Sequence, residues 1–377
     1  MTQDTTKWRQ IAIFIAPVIP GFMSLTCSFT LIVMILKSKK KLATPYRRLI
    51  FGMSCFDIFY SFTSMLSFLP IPAADDMWGA VGTRQTCSFQ GFLVFLGATG
   101  CPMYNLSLCI FYLSIVVYRF KTRKFVRYIE PLLHIFPILY SFIIGIFLLM
   151  KGYFNAGADY SVCWIAPYPK ECLTDPTVPC ERGEKAMQYR WLFIAYPISF
   201  IFLVIIATMS VIVYRVHKQE KSVDCYRFKH SELRNSNCVQ LSDSRSGDSK
   251  SFSSFRKSRC SSVMSGRKLS LMMNQSKKHR EVMSQAFYYV LCYVVTWALP
   301  YTNNILDGQK TKVPFVLRLM ARAINPGQGI WNILVYTRPH VIALRKAYPE
   351  YSWLKAFTIV VKSGGDNDGS IRRRPTT

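Results

Sequence analysis

Three ionisable residues sit where charge is expensive. Asp57 interrupts the apolar run 49–72, and Arg318 and Arg322 interrupt the run 313–336, both of which are otherwise free of charged side chains. The two arginines lie four positions apart and so share a helix face. Together they can offer paired guanidinium groups to a carboxylate or phosphate through charge-assisted hydrogen bonds. Snorkelling of the long stem toward an interface explains Arg318 equally well; Arg322 lies a turn deeper. Asp57 stands nine residues past Arg48, ~14 Å along a helix. A bare charge at such depth in a bilayer costs at least ~2.5–3.5 kcal/mol, so Asp57 is expected to face an interior and find partners. Asn105, Gln328 and Asn332 are the candidates, the last two at i, i+4 spacing. Two readings fit: a polar network that rearranges between two packings, or a protonated Asp57 with a structural role only.

Other residues would shape the helices around these groups. Pro197, Pro300 and Pro326 each remove an internal backbone hydrogen bond and mark expected kinks. Trp297 and Tyr301 flank Pro300 and are candidates to line a pocket with Arg318 and Arg322, although aromatics at helical spacing more often pack a core.

The elements that hold them are legible as apolar runs. Of 377 residues, 51% are hydrophobic and only 18% charged, below the ~25% of ordinary soluble domains. Seven runs reach the ~20 residues needed to cross hydrocarbon: 11–36, 49–72, 87–118, 131–150, 191–214, 282–305 and 313–336. A soluble domain would have to bury seven such helices, against a mean length of about 11–12 residues. The fold class expected is therefore an all-α membrane protein, a bundle of seven transmembrane helices.

Charge sets its expected orientation. The chain carries 47 Lys+Arg against 20 Asp+Glu, a formal +27, and the bases concentrate in connections: six in 37–48, five in 119–127, sixteen in 215–281 and eight in 338–377. All four lie on one side of the membrane, which the retention of basic residues in the cytosol makes the inner side. The amino terminus is then outside and the carboxyl terminus inside, at a plasma membrane crossed many times. Bases gathered beside spans point to lipid headgroups and protein partners, and nucleic acid is not an expected partner.

Cysteines follow the same sidedness. Cys87, Cys163, Cys172 and Cys180 fall on the expected outer side, where disulfides persist. Four cysteines allow three pairings; one of them ties the loop 151–190 to the third span through Cys87 and Cys163 and leaves Cys172 and Cys180 to close a small ring. Outside the spans, the outer surface offers only residues 1–10, short loops and this stapled loop, so a ligand must enter the bundle or lie on its rim. Inside, 215–281 is a polar insertion with 13 serines among residues 241–276, a composition expected to stay disordered. Within it Arg259-Cys260-Ser261-Ser262 and Arg267-Lys268-Leu269-Ser270 suit kinases that prefer upstream bases, making Ser262 and Ser270 candidate phosphorylation sites. The remaining layout is spans one to five over 11–214, spans six and seven over 282–337, and an inner tail, 338–377, whose start with Trp353, Leu354 and Phe357 reads as an interfacial amphipathic segment.

Several function classes lose ground. No repeat relates the halves of the chain, as it does in many transporters. Only His134 of the five histidines lies in a span, and no intramembrane cluster has the make-up of a metal site. The seventh run has no lysine for a retinal linkage. No metal, cofactor or catalytic residue is expected.

In order along the chain, the segments Cys87-Ser88-Phe89-Gln90-Gly91-Phe92, Tyr104-Asn105 with Phe111-Tyr112-Leu113, Cys163-Trp164-Ile165 with Tyr168-Pro169 and Cys172, and Pro326-Gly327-Gln328-Gly329 with Trp331-Asn332 and Val335-Tyr336 resemble the G-protein-coupled receptor superfamily. They look most like its cyclic-AMP-receptor-like and secretin-related branches. The chain departs from the rhodopsin-like branch: Phe111-Tyr112-Leu113 stands where an acidic-Arg-Tyr triplet would, and Trp297 precedes Pro300 by three positions. The resemblance implies a cysteine bridge from the third helix to the second outer loop, a heterotrimeric G protein at the inner surface near Tyr112, Arg119, Arg123 and Tyr336, and a small extracellular ligand, for which Arg318 and Arg322 make an anion a candidate. The expected function is a cell-surface receptor without enzymatic activity; a seven-span transporter or a sensory scaffold without G-protein coupling is the alternative.

Overall fold

The computed structural model describes residues 2–75, 77–157, 161–169, 172, 175, 177–240, 266–308 and 313–365. The chain runs α1 (Thr2–Ile15), α2 (Val18–Lys37), α3 (Pro45–Leu66), α4 (Arg84–Val116), α5 (Thr122–Lys124), α6 (Glu130–Met150), a hairpin β1 (Phe154–Asn155) and β2 (Trp164–Ile165), α7 (Ala186–Arg190), α8 (Tyr196–Gln240), α9 (Gly266–Gly308), α10 (Phe315–Ile324), α11 (Gln328–Ala347) and α12 (Trp353–Lys362). Single π-helical turns, Phe125–Ile129 and Trp191–Ala195, join α5 to α6 and α7 to α8.

Local signals explain where helices begin. Thr44 caps α3 by accepting from Arg47 N, with Pro45 in the first turn. Thr83 and Thr86 form a reciprocal capping box on α4. Small residues then let the helices close up. A methyl group on Gly100 of α4 would overlap the Phe56 ring of α3, and one on Gly329 of α11 would overlap Ser24 and Ser28 of α2. One continuous core joins Leu31, Met53, Phe95, Tyr104, Tyr293 and Ile333. The outward faces carry exposed Phe22, Phe29, Leu132, Phe136, Phe200 and Leu203, a belt that only hydrocarbon would cover without penalty.

Among the described residues, five helices are long and apolar enough to cross a membrane by length and composition: Lys7–Lys37, Pro45–Leu66, Arg84–Ile115, Thr122–Met150 and Ala186–Lys218. The sixth and seventh elements complete the bundle by packing. Helix α9 is rich in tyrosine and asparagine, and the seventh element is broken into α10, a 3-10 turn Asn325–Gly327, and α11.

Span boundaries differ from the apolar runs. Helix begins at Thr2, within the short amino-terminal segment 1–10. The expected disorder of 215–281 gives way to helix at both ends, since α8 continues to Gln240 and α9 starts at Gly266. Residues 215–240 hold neither Gly nor Pro, so nothing ends the helix where the apolar run stops. Ser262 lies outside the described residues, and Ser270 falls within α9.

Candidate functional site

At the end of the bundle that carries the hairpin, the loop after α6 folds inward as a lid. Cys87 at the head of α4 is bridged to Cys163, with Cα atoms 5.4 Å apart. Gln90, one turn further along α4, accepts from Cys163 N at 3.0 Å and donates to Ser67 O at 2.6 Å. Ser67 Oγ in turn donates to Phe14 O at 2.6 Å and Ser161 O at 3.2 Å. The lid is thus tied to the first three spans through buried polar groups. Cys172 and Cys180 form the second bridge, and inside their ring Asp175 accepts from Thr177 N at 2.9 Å and Thr177 Oγ1 at 2.6 Å. Those two bonds hold the Asp175 carboxyl below the usual carboxylate range.

Beneath the lid is a cavity of about 80 Å³. Ser161, Val162 and Trp164 roof it, and Arg318, Arg322, Trp297 and Tyr301 all line it. Its floor includes Tyr60 and Asn325. Sequence reasoning passed over both, although Tyr60 is one turn from Asp57 and Asn325 adjoins Pro326. Beside Pro300, which lies inside α9 without ending it, the Tyr301 hydroxyl bonds Ser199 Oγ, joining α9 to α8. Pro197 stands one residue into α8, directly after the π turn Trp191–Ala195.

From that floor a chain of hydrogen bonds descends through the core. The Tyr60 hydroxyl donates to Asn325 Oδ1, and Asn325 Nδ2 donates to Thr296 O at 3.0 Å. Thr296 Oγ1 donates to Gln328 Oε1, and Gln328 Nε2 donates to Asn332 Oδ1 at 3.1 Å. Asn332 Nδ2 donates to Asp57 Oδ2, whose other oxygen accepts from Cys101 Sγ at 2.9 Å. Asp57 therefore meets Asn332 directly and Gln328 at one remove. Asn105 bonds the carbonyl of Cys101 instead, at 3.0 Å, because its position one turn along α4 returns its amide to its own helix. Thr296 and Cys101 gave no signal in sequence, since isolated threonines and cysteines in apolar runs are ordinary core residues.

At the opposite, basic end, four tyrosines close the bundle. The hydroxyls of Tyr46 (α3) and Tyr289 (α9) lie 3.0 Å apart, and Gln285 Nε2 donates to Tyr46 at 2.6 Å. The Tyr46 ring stacks on Tyr336 of α11 with planes 7° apart and touches Tyr112 of α4 at 6.3 Å between centroids. Arg338 grips α9 as well, with its guanidinium 4.2 Å above the Tyr288 ring. Tyr112 and Tyr336 are 3% and 2% exposed. In this packing the clasp buries both, whereas Arg119 and Arg123 are exposed. Beside the clasp, Arg48 donates to Glu130 through Nε and Nη2, the latter at 2.7 Å, and His134 Nδ1 lies 3.1 Å from the Tyr104 hydroxyl. Glu130 escaped the sequence reading because it sits one residue outside an apolar run. Among the described residues no group of three or more His, Cys, Asp or Glu could hold a metal ion.

Residues 14–163, the first four spans and the lid up to Cys163, match the family model described as serpentine type 7TM GPCR chemoreceptor Str. No curated protein matches the sequence. Among solved structures the chain is similar to the crystal structure of squid rhodopsin, with a TM-score of 0.57 and 12% identity over 96% of this chain and 92% of that one. At that identity the likeness is one of fold.

Proposed function

We propose that this chain is a G-protein-coupled receptor of the plasma membrane that converts binding of a small extracellular ligand into exchange on a heterotrimeric G protein, with no enzymatic activity of its own. One observation carries the reading: a polar chain runs from a lidded cavity at one end, through Tyr60, Asn325, Thr296, Gln328 and Asn332, to Asp57 in the middle of the bundle. A tyrosine clasp shuts the other end. A chain of bonds between helices has discrete alternative arrangements, which is what coupling two distant sites requires.

The match to a chemoreceptor family over 14–163 and the rhodopsin-like fold support the same superfamily. That family model favours a chemoreceptor; the motif resemblance to cyclic-AMP-receptor-like and secretin-related branches is the competing placement. The basic connections support an amino terminus outside and a G protein inside, where Arg119 and Arg123 are already exposed and opening of the clasp would add Tyr112 and Tyr336. Arg318 and Arg322 in the cavity wall favour an anionic ligand. Helix α12, with Trp353 and Leu354 exposed and Ala356 and Val360 buried, suits anionic lipid at the inner surface.

The test is nucleotide exchange by the host's own G protein on membranes carrying the full chain, across a panel of small anions, amino acids and nucleotides. Ligand-dependent exchange is expected. Substrate flux without exchange would establish a transporter instead, and recruitment of cytosolic proteins without exchange a scaffold.

A further inference from the structure

Away from the lidded cavity and the clasp, a groove opens sideways from the bundle between α4 and α6. It holds about 650 Å³, within the ~300–1,000 Å³ of sites that take a small hydrophobic molecule. Met103, Leu106 and Ile110 of α4 form one wall, and Leu132, Phe136 and Ile143 of α6, all three exposed, form the other. Pro137 has no N–H to offer the carbonyl of Leu133. Ser107 Oγ of α4 donates to that carbonyl instead, at 3.2 Å, and to Met103 O at 2.9 Å. Tyr140, whose hydroxyl also belongs to the wall, donates to Phe193 O at 2.9 Å. With both hydroxyls engaged, the groove offers chiefly hydrocarbon contact. From Leu132 to Ile144 it follows α6 for ~18 Å at helical rise, close to one leaflet of a ~30 Å hydrocarbon core. That length and the open lipid side suit an acyl chain.

The basic end of the groove has a different chemistry. Lys124, Tyr128, Leu132 and Phe136 follow one another at i, i+4 spacing and so form a row. The π turn Phe125–Ile129 winds more slowly than an α turn and keeps that row on one side. Lys124, Arg127 and Tyr128 are exposed, and the Arg127 guanidinium lies 5.7 Å from the centre of the Tyr128 ring. Glu130, the neighbouring acid, is buried and taken by Arg48. Two bases thus flank an aromatic ring just below the groove, an arrangement suited to the membrane–water interface. The basic end of a membrane protein faces the cytoplasm, whose leaflet carries the anionic lipids. A sterol would fill the groove and leave the bases unused, whereas a phospholipid matches both parts. We infer that this groove binds one anionic glycerophospholipid, an acyl chain lying between Ile110 and Phe136 and the phosphate headgroup held by Lys124 and Arg127. The inference rests on the chain spanning a membrane with its basic end inside, and on nothing about ligand or G protein.

The experiment places the full chain in phosphatidylcholine nanodiscs with a trace of phosphatidylserine that bears a photoactivatable group on its acyl chain, and maps the labelled peptides. Labelling should concentrate in 103–110 and 132–144 over the equally exposed Phe200 and Leu203 of α8. Unlabelled phosphatidylserine should displace it, and cholesterol should not. A phosphatidylcholine bearing the same group should label the outward faces alike. Lys124→Gln and Arg127→Gln should each reduce groove labelling about fivefold, the equivalent of about 1 kcal/mol per base. Leu139→Trp, which fills the groove from an exposed position, should block it; the two glutamine variants, altered only at the surface, serve if the tryptophan variant fails to fold. Even labelling of all outward faces, equal concentration of the phosphatidylcholine reporter, displacement by cholesterol, or undiminished labelling of both glutamine variants would each overturn the inference. Detection needs neither agonist nor nucleotide exchange, so this result and the receptor reading fail independently.

Discussion

Tyr46 and Tyr289 bring their hydroxyls to 3.0 Å across 243 positions of sequence, and with Tyr112 and Tyr336 they close the basic end of the bundle. The contacts among these four tyrosines are neutral, and salt screens them little.

Weakening that clasp should raise signalling without ligand. Tyr289→Phe removes one hydroxyl contact and leaves Gln285 on Tyr46. A net hydrogen bond of about 1 kcal/mol corresponds to about a fivefold shift toward the open packing. Basal nucleotide exchange normalised to surface receptor should rise by that order. Tyr46→Ala, which also loses the stacked face on Tyr336, should raise it further. A basal rate unchanged in both variants would show that the clasp does not gate the inner face.

The Asn332–Asp57 bond should behave as a coupled pair. Asn332→Ala leaves a buried carboxyl oxygen without its donor, and Asp57→Ala leaves a buried amide without its acceptor. Each should lower thermal stability by about 1–3 kcal/mol. The double variant should cost less than the sum, with a coupling of at least ~0.5 kcal/mol. Additive losses in the melting of purified receptor would mean that the two residues act separately.

The two disulfides should differ in weight. Cys87–Cys163 closes a separation of 76 residues and Cys172–Cys180 one of 8. Chain-entropy arithmetic assigns them about 4.5 and about 2.5 kcal/mol respectively. Cys163→Ala should reduce surface delivery and ligand response together, because the lid loses its anchor. Cys172→Ala should spare most of both. Surface labelling and dose–response curves measure the contrast, and equal losses would contradict it.

Arg48 and Glu130 form an asymmetric ion pair, with the arginine side chain 29% exposed and the glutamate 5%. Arg48→Ala strands a buried carboxylate, a loss that typically costs ~3–5 kcal/mol. Glu130→Gln leaves an arginine that water can still reach, so it should cost less. Melting temperatures of the two variants in detergent should show the arginine change as the more damaging; the opposite order would place the pair in a wetter setting.

The number of spans, the basic end and the cysteine-bearing end were all legible in the chain, because hydrocarbon acts on each segment separately: apolar length and flanking charge are local properties. The same holds for Arg318, Arg322 and Asp57, which stand out against an apolar background. Helix ends were less legible. The runs mark where hydrocarbon would begin, whereas helix continues until a residue breaks it, as α8 does through a stretch without Gly or Pro.

Partnerships were decided only by the tertiary structure. Asp57 had three amide candidates in sequence, and packing chose Asn332, sent Asn105 back to its own helix and added Cys101. Tyr112 and Tyr336 read as surface residues and became the inside of a clasp, while Tyr60, Thr296 and Asn325 gained a role from neighbours far away in sequence. The reason is physical. A residue's cost of burial in a membrane is set by its own chemistry and is written in the chain. Which group relieves that cost depends on helix rotation and on close approaches such as Gly100 against Phe56 and Gly329 against Ser24, and these arise from all the helices packing at once.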